Sequence, residues 1–159
     1  MNGPSAKVAL HGPDGEVETL WAFDLGGGRY RLDNLPWYSY RVSLGDVIEA
    51  APDAGGQLHM VRVVTKSGNR TLRLFFAGAD LHADWPAEIR EAMDRLVDAG
   101  CSYEGANRRY QAVNVPPEVD LETVTRFLTD AEVRWEYADP TYEDIHGEGA
   151  VEGDRPADA

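Results

Sequence analysis

The chain reads as an α+β protein with two β-rich halves. Residues 1–69 predict a small β-barrel or bent antiparallel sheet, packed as one unit against a ferredoxin-like β-α-β-β-α-β half over 70–139. Three observations carry this. Short apolar runs broken by dense turn residues fill the first 69 positions, the pattern of a small barrel or strongly bent sheet. Two segments of the second half switch to a helical period. From Arg70 onward the elements run strand, helix, strand, strand, helix, strand.

Lys7–His11 and Val17–Phe23 read as strands joined by Gly12-Pro13-Asp14-Gly15, where proline presets φ and glycine supplies a positive one. Gly26-Gly27-Gly28 leads into a third strand, Arg29–Leu32. A phosphate-cradling glycine loop needs a helix opening after it, and Arg29-Tyr30-Arg31 continues as strand, so a hairpin is expected. Val42 and Val47–Ala50 follow, bent at Gly45-Asp46, and Leu58–Thr65 comes after the turn at Pro52–Gly56. Ser67-Gly68-Asn69 predicts a tight hairpin into Thr71–Phe76. That pairing would put Leu72, Leu74 and Phe76 in the core and leave Arg62, Lys66, Arg73 and Phe75 on the opposite face.

In the second half Ile89, Ala92, Met93, Leu96 and Val97 fall on one helical stripe, with Pro86 in its first turn and Gly100 as its stop. Strands are expected at Cys101–Glu104 and Tyr110–Val115, the latter ended by Pro116-Pro117. Asp120 is a good N-cap for a helix whose apolar stripe is Leu121, Val124, Phe127 and Leu128. Val133, Trp135 and Tyr137 alternate along a last strand. Residues 140–159 hold six acids against Arg155, among glycine, proline and alanine. Ordering costs about 1–2 kcal/mol per residue, which such a segment cannot offset, so an acidic, largely disordered tail is expected.

Charge narrows the function classes. There are 28 acidic residues against 15 Lys and Arg, a net charge of −13. Such a field opposes nucleic acid and anionic membranes and favours a basic protein partner. One cysteine, Cys101, permits no internal disulfide, and a reducing cytoplasmic setting is expected. The N-terminus lacks a signal-peptide pattern, and no apolar run suits a spanning helix.

No catalytic signature appears. His11, His59, His82 and His146 are scattered without metal-ligand spacing, so neither metal nor cofactor is expected. Cys101 reads as a small buried thiol. Asp46 suits a side-chain-capped turn, and Glu104, between Tyr103 and Gly105, has no second acid at recognisable spacing. Aromatics are the better lead. Trp21, Phe23, Tyr30, Trp37, Tyr38 and Tyr40 crowd one third of the chain, and both faces of Trp37-Tyr38-Ser39-Tyr40 cannot easily be core. Residues 54–79 contain no acid yet carry Arg62, Lys66 and Arg73, a basic face on an acidic protein.

Several pieces together resemble an uncharacterised bacterial family, domain of unknown function 4265. They are Glu18-Thr19-Leu20-Trp21-Ala22, Gly28 to Pro36, Val42-Ser43-Leu44-Gly45-Asp46-Val47, Gly100-Cys101-Ser102-Tyr103-Glu104, Ala112 to Pro117 and Trp135-Glu136-Tyr137. Trp37 departs from the family's usual phenylalanine. The resemblance implies a domain assignment and brings no activity. Composition suggests a high-GC bacterial source.

The leading expectation is a non-enzymatic binding protein whose acidic surface holds a basic protein partner, in its sharpest form an immunity or antitoxin-like protein. The second is a small-molecule binding domain or small enzyme. Its site would lie at the junction of the halves, near Tyr30, Trp37, Tyr38, Tyr40, Asp46 and Glu104.

Overall fold

In the computed structural model, which describes residues 3–76 and 85–150 (the Ala106 side chain aside), the first five strands close into a barrel. They are β1 (Ala6–His11), β2 (Val17–Gly26), β3 (Arg29–Leu32), β4 (Val47–Pro52) and β5 (Leu58–Thr65). Neighbours pair antiparallel from β1 to β5, and a short parallel seam between β5 and β1 completes the circuit. Alternation sends Val8, Leu10, Leu20, Ala22, Leu32, Ile48 and Ala50 inward, with Val42 closing one end. Each large aliphatic side chain so buried contributes about 1.5–3 kcal/mol.

The second half is a four-stranded antiparallel sheet of β6 (Arg70–Phe75), β7 (Ser102–Asn107), β8 (Tyr110–Val115) and β9 (Arg134–Asp139), in spatial order β7-β8-β6-β9. Between β6 and β7 runs α1 (Ala87–Asp98), and between β8 and β9 runs α2 (Leu121–Asp130). Their apolar stripes supply Met93, Leu96, Val124 and Leu128 to a core with Leu72, Leu74, Val113, Val115 and Trp135. Asp120 caps α2 as expected, accepting from Thr123 N at 3.0 Å. His82 and Asp84, ahead of α1, lie outside the described residues. Cys101 is buried in this core, and burial pushes its thiol pKa up, away from nucleophile chemistry.

The expected β5–β6 hairpin does not form. β5 pairs with β4 and β1, while β6 enters the other sheet between β8 and β9. The physical reason lies in the link. Ser67 N donates to Asp46 Oδ1, and Ser67 Oγ and Asn69 Nδ2 donate to Leu44 O, turning the chain onto the Gly45-Asp46 corner. Gly45 has φ 81° and would bring a Cβ within 3.2 Å of Ser67 Cβ, so glycine fits both demands there. Because β6 is central and covered on both faces, Thr71, Leu72, Arg73 and Leu74 are all buried.

Residues 140–150 also depart from the expected tail. Thr141 and Asp144 form a reciprocal capping box on α3 (Tyr142–His146), and Arg41 Nε reaches Asp144 at 3.1 Å. These charge-assisted contacts order a segment whose composition is acidic. The rest of the predicted tail, 151–159, lies outside the described residues. Among the described residues no helix is long and apolar enough to cross a membrane.

Candidate functional site

The loop of residues 33–46, between β3 and β4, spans the junction of barrel and sheet, and the barrel anchors it through a carboxylate. Glu18, on β2, is buried, and it accepts from Trp37 N (2.6 Å), Tyr38 N (2.8 Å), Ser39 N (2.9 Å) and Ser39 Oγ (3.1 Å). One ionised side chain thus gathers three consecutive backbone donors, an arrangement that fixes the backbone from which the aromatics project. Upstream, Glu104 Oε2 accepts from Leu35 N at 2.9 Å, tying the loop to β7.

The sheet supplies the floor. On β6, register sets Arg73 opposite Ala112 and Glu136, and Phe75 opposite Tyr110. Arg73 is 1% exposed; its Nη2 donates to Ser39 O and Pro36 O, and its guanidinium lies 4.7 Å from the Tyr40 ring centroid. Glu136 Oε1 stands 3.8 Å from Arg73 Nη1 and accepts from Tyr40 Oη at 3.0 Å. Tyr110 Oη donates to Trp37 O, and its ring lies 5.1 Å from Phe75 and 6.1 Å from Tyr38.

Between these groups lies an open groove of about 340 Å³. Trp37, Tyr38, Tyr40, Phe75 and Tyr110 wall it, Arg73 underlies it, and Asp14, Glu16 and Glu136 contribute carboxylates. A second depression, of about 290 Å³, shares Trp37 and Tyr38 and is bordered by Glu18 and Glu104. Burial raises the Tyr110 phenol well above the ordinary tyrosine range, and burial with the neighbouring Glu136 charge raises Tyr40. Both rings therefore stay neutral hydrogen-bond donors at neutral pH. Among the described residues, Arg73 Nε and Trp37 Nε1 are buried polar atoms without a partner at this site.

Of the residues expected to form a site, Trp37, Tyr38 and Tyr40 converge on the groove. Tyr30 does not; it packs half-buried against the barrel core. Asp46 is fully buried in an ionic cluster, where Lys66 Nζ lies 2.5 Å from its Oδ2 and 2.6 Å from Asp139 Oδ2. Ser43 Oγ joins this cluster through Asp139 (2.5 Å) and Thr71 (2.7 Å). Glu104 borders the neighbouring depression. The expected basic face is dispersed: Arg62 pairs with Glu49 on the barrel's exterior, Lys66 bridges the two aspartates, and Arg73 is under the loop. The alternation that suggested a common face fails on both strands: Val61 and Arg62 are both exposed on β5, whose pairing with β4 shifts register, and Thr71 to Leu74 are all buried on β6, which belongs to a different sheet.

Sequence reading missed Glu18, Tyr110 and Glu136 as site residues. Glu136 carried a signal, a lone acid between Trp135 and Tyr137 that alternation sends to the opposite face. Glu18 and Tyr110 carried none, because their role depends on which loop covers which strand.

A solved structure of a hypothetical protein from Neisseria gonorrhoeae shares this fold, with a TM-score of 0.69 and 15% identity over 89% of this chain and 99% of that one. At that identity the likeness speaks to fold alone. No curated protein matches the chain. A family model described as a domain of unknown function, DUF4265, matches residues 18–137, which take in the barrel from β2 onward and the sheet almost to its end.

Proposed function

The chain belongs to the DUF4265 family, and from that premise we propose that it is a non-enzymatic binding protein whose junction groove holds a basic segment of a protein partner. One observation carries the reading: Asp14, Glu16 and Glu136 line a groove walled by exposed Tyr38 and Tyr40, in a chain of net charge −13. Aromatic faces attract a lysine or arginine side chain through their quadrupole, and the carboxylates add charge complementarity and steering. The openness of the groove to solvent suits a side chain entering from a partner's surface. An immunity or antitoxin-like role against a basic toxin is the sharpest form, in a bacterial cytoplasm whose reducing conditions suit the lone buried Cys101.

The test is a titration of the full chain with arginine-rich and aspartate-rich peptides, at low salt and at about 0.5 M, where the Debye length is only a few ångströms. The arginine-rich peptide should bind, weaken sharply with salt, and bind poorly to Tyr38→Ala and Glu16→Gln. Equal binding of both peptides, or none of either, would overturn the reading.

A second reading, a small-molecule site, has one observation in its favour. Arg73 Nε is an unsatisfied donor beneath the groove, and buried donors ordinarily find an acceptor. A planar ligand carrying a carbonyl or carboxylate would stack on the aromatics and supply it. A fluorescence-monitored screen of aromatic carboxylates, repeated on Tyr38→Ala, separates this reading from the first.

We also infer that the second half is a ferredoxin-like unit. The β-α-β-β-α-β order, the all-antiparallel pairing and the central position of β6 and β8 support it. Two helices packed on one face leave the opposite face to carry the groove.

A further inference from the structure

We propose that His11 and His59 form a transition-metal site on the outer face of the barrel, taking one zinc, nickel or copper ion with water completing its shell. His11 Nε2 and His59 Nδ1 face each other at 3.0 Å, with rings 17° from parallel. The two residues come from β1 and β5, the strands of the parallel seam, whose register sets Ala9 beside His59. Since Val8 and Leu10 point into the barrel core, alternation sends His11 outward, where it is exposed. The site uses none of the groove's lining side chains, and His11 meets the groove loop only through its backbone carbonyl, which accepts from Ser39 Oγ at 3.5 Å.

The second observation is the orientation of His59. Asp53 Oδ1 accepts from Gly55 N and Gln57 N, which fixes the carboxylate, and its Oδ2 lies 2.8 Å from His59 Nε2. An ionised carboxylate only accepts, so Nε2 carries the hydrogen and Nδ1 turns its lone pair toward His11. A carboxylate on the far nitrogen of an imidazole is how metal-ligating histidines are held in the right tautomer and made more basic.

Without metal, His11 Nε2–H donates to His59 Nδ1, and one proton lies between the two nitrogens. A metal ion takes that proton's place. His11 moves its proton through solvent to Nδ1, no net proton is released from the neutral pair, and both facing nitrogens then donate lone pairs. Nitrogens bound at about 2.0–2.1 Å to a tetrahedral ion sit about 3.3 Å apart, so the pair need open by only a few tenths of an ångström. The exposed His11 ring can supply that by turning. Imidazole pairs suit zinc, nickel and copper, whereas magnesium and calcium require oxygen ligands. Among the described residues no group of three or more ligating side chains surrounds a common point, so the ion would be exchangeable. Bound there, it would staple the barrel's shortest seam, which has two paired positions.

The experiment is calorimetric titration of the tag-free full chain with zinc, nickel and copper chlorides, with thermal melts in parallel. One equivalent should bind to the wild type and raise Tm. His11→Ala and His59→Ala should each abolish that binding while folding normally by circular dichroism. Asp53→Asn should weaken it about 10–100-fold, the usual effect of losing such a supporting carboxylate. Copper bound to the wild type should show nitrogen hyperfine couplings from two imidazoles. Binding that survives in both alanine variants, or no binding at millimolar metal, would overturn the proposal.

Discussion

Lys66 Nζ lies 2.6 Å from Asp139 Oδ2, joining the end of the barrel to the end of the last sheet strand across 73 residues of chain. The same ammonium lies 2.5 Å from Asp46 Oδ2, whose carboxylate is fully buried, while the Lys66 side chain keeps 45% of its surface in water. Two acids that would repel each other are thus held by one cation. Ser43 and Thr71 hydroxyls complete the cluster. The junction on which the groove depends is therefore fastened by charge as well as by packing.

Replacing Lys66 by methionine should destabilise the fold by roughly 2–4 kcal/mol, because two carboxylates would remain desolvated without their partner. The half-exposed position of Lys66 keeps the loss below that of a fully interior pair. Urea unfolding at neutral pH measures it. A variant as stable as the wild type at neutral pH would show the cluster to be energetically idle.

Arg73→Lys should not rescue what Arg73→Ala loses. The guanidinium serves Ser39 O and Pro36 O while lying against Tyr40, and an ammonium cannot reproduce that fork and stack. Both variants should lose about 3 kcal/mol or more, as expected for a buried hydrogen-bonded charge, together with near-ultraviolet circular dichroism from the groove aromatics. A lysine variant with wild-type stability and spectrum would contradict this.

Glu18→Ala should cost about 2–4 kcal/mol, since three backbone N–H groups lose their acceptor. The damage should be local. Amide exchange at Trp37, Tyr38 and Ser39 should speed up far more than exchange in the helices, and unchanged protection at those three amides would rule out Glu18 as the loop's anchor.

Three aspartates contribute to an acid limit, Asp53 through its hydrogen bond with His59 and two others at helix starts. Backbone hydrogen bonding from Thr141, with help from the Thr141 hydroxyl and Arg41, holds the Asp144 carboxyl below its ordinary range, and the side-chain and backbone groups of Thr123 do the same for Asp120. A carboxyl with a lowered folded pKa adds stability that is complete above its unfolded value, about 3.9, and disappears as pH falls through the folded one. Stability should accordingly fall below about pH 4, and Asp144→Asn should flatten part of that slope in acid denaturation curves.

Two partly covered phenols of the groove set an alkaline limit. Tyr110 and Tyr40 have folded pKa values above the unfolded one, so their contribution is complete below about pH 10 and is lost as pH climbs through the folded values. Ultraviolet titration should show a late phenolate fraction, reduced in Tyr110→Phe. An unchanged late fraction in that variant would place it elsewhere.

Local rules made most elements readable. The strand Tyr110–Val115 and the cap at Asp120 follow from alternation and from one side chain's reach, and the structure has both. What escaped was pairing between distant segments. Nothing local distinguishes a link such as Ser67-Gly68-Asn69 that folds back as a hairpin from one that crosses to another sheet, because the deciding partners, Leu44 and Asp46, lie more than 20 residues upstream. The same ignorance placed Arg73 in solvent. At the groove, the aromatic run Trp37-Tyr38-Ser39-Tyr40 was legible as surplus to a small core, whereas Tyr110 and Glu136 joined it only through sheet register.

The Lys66 cluster also imposes an order in time. In a chain synthesised from its N-terminus, Asp46 and Lys66 emerge together with the barrel, while Asp139 arrives with the final strand of the sheet. A nascent barrel thus waits with one acceptor of its lysine still missing, and the groove cannot acquire Glu136 before β9 is made. A partner that recognises the finished groove would therefore engage a chain only once β9 has been made and has paired with β6.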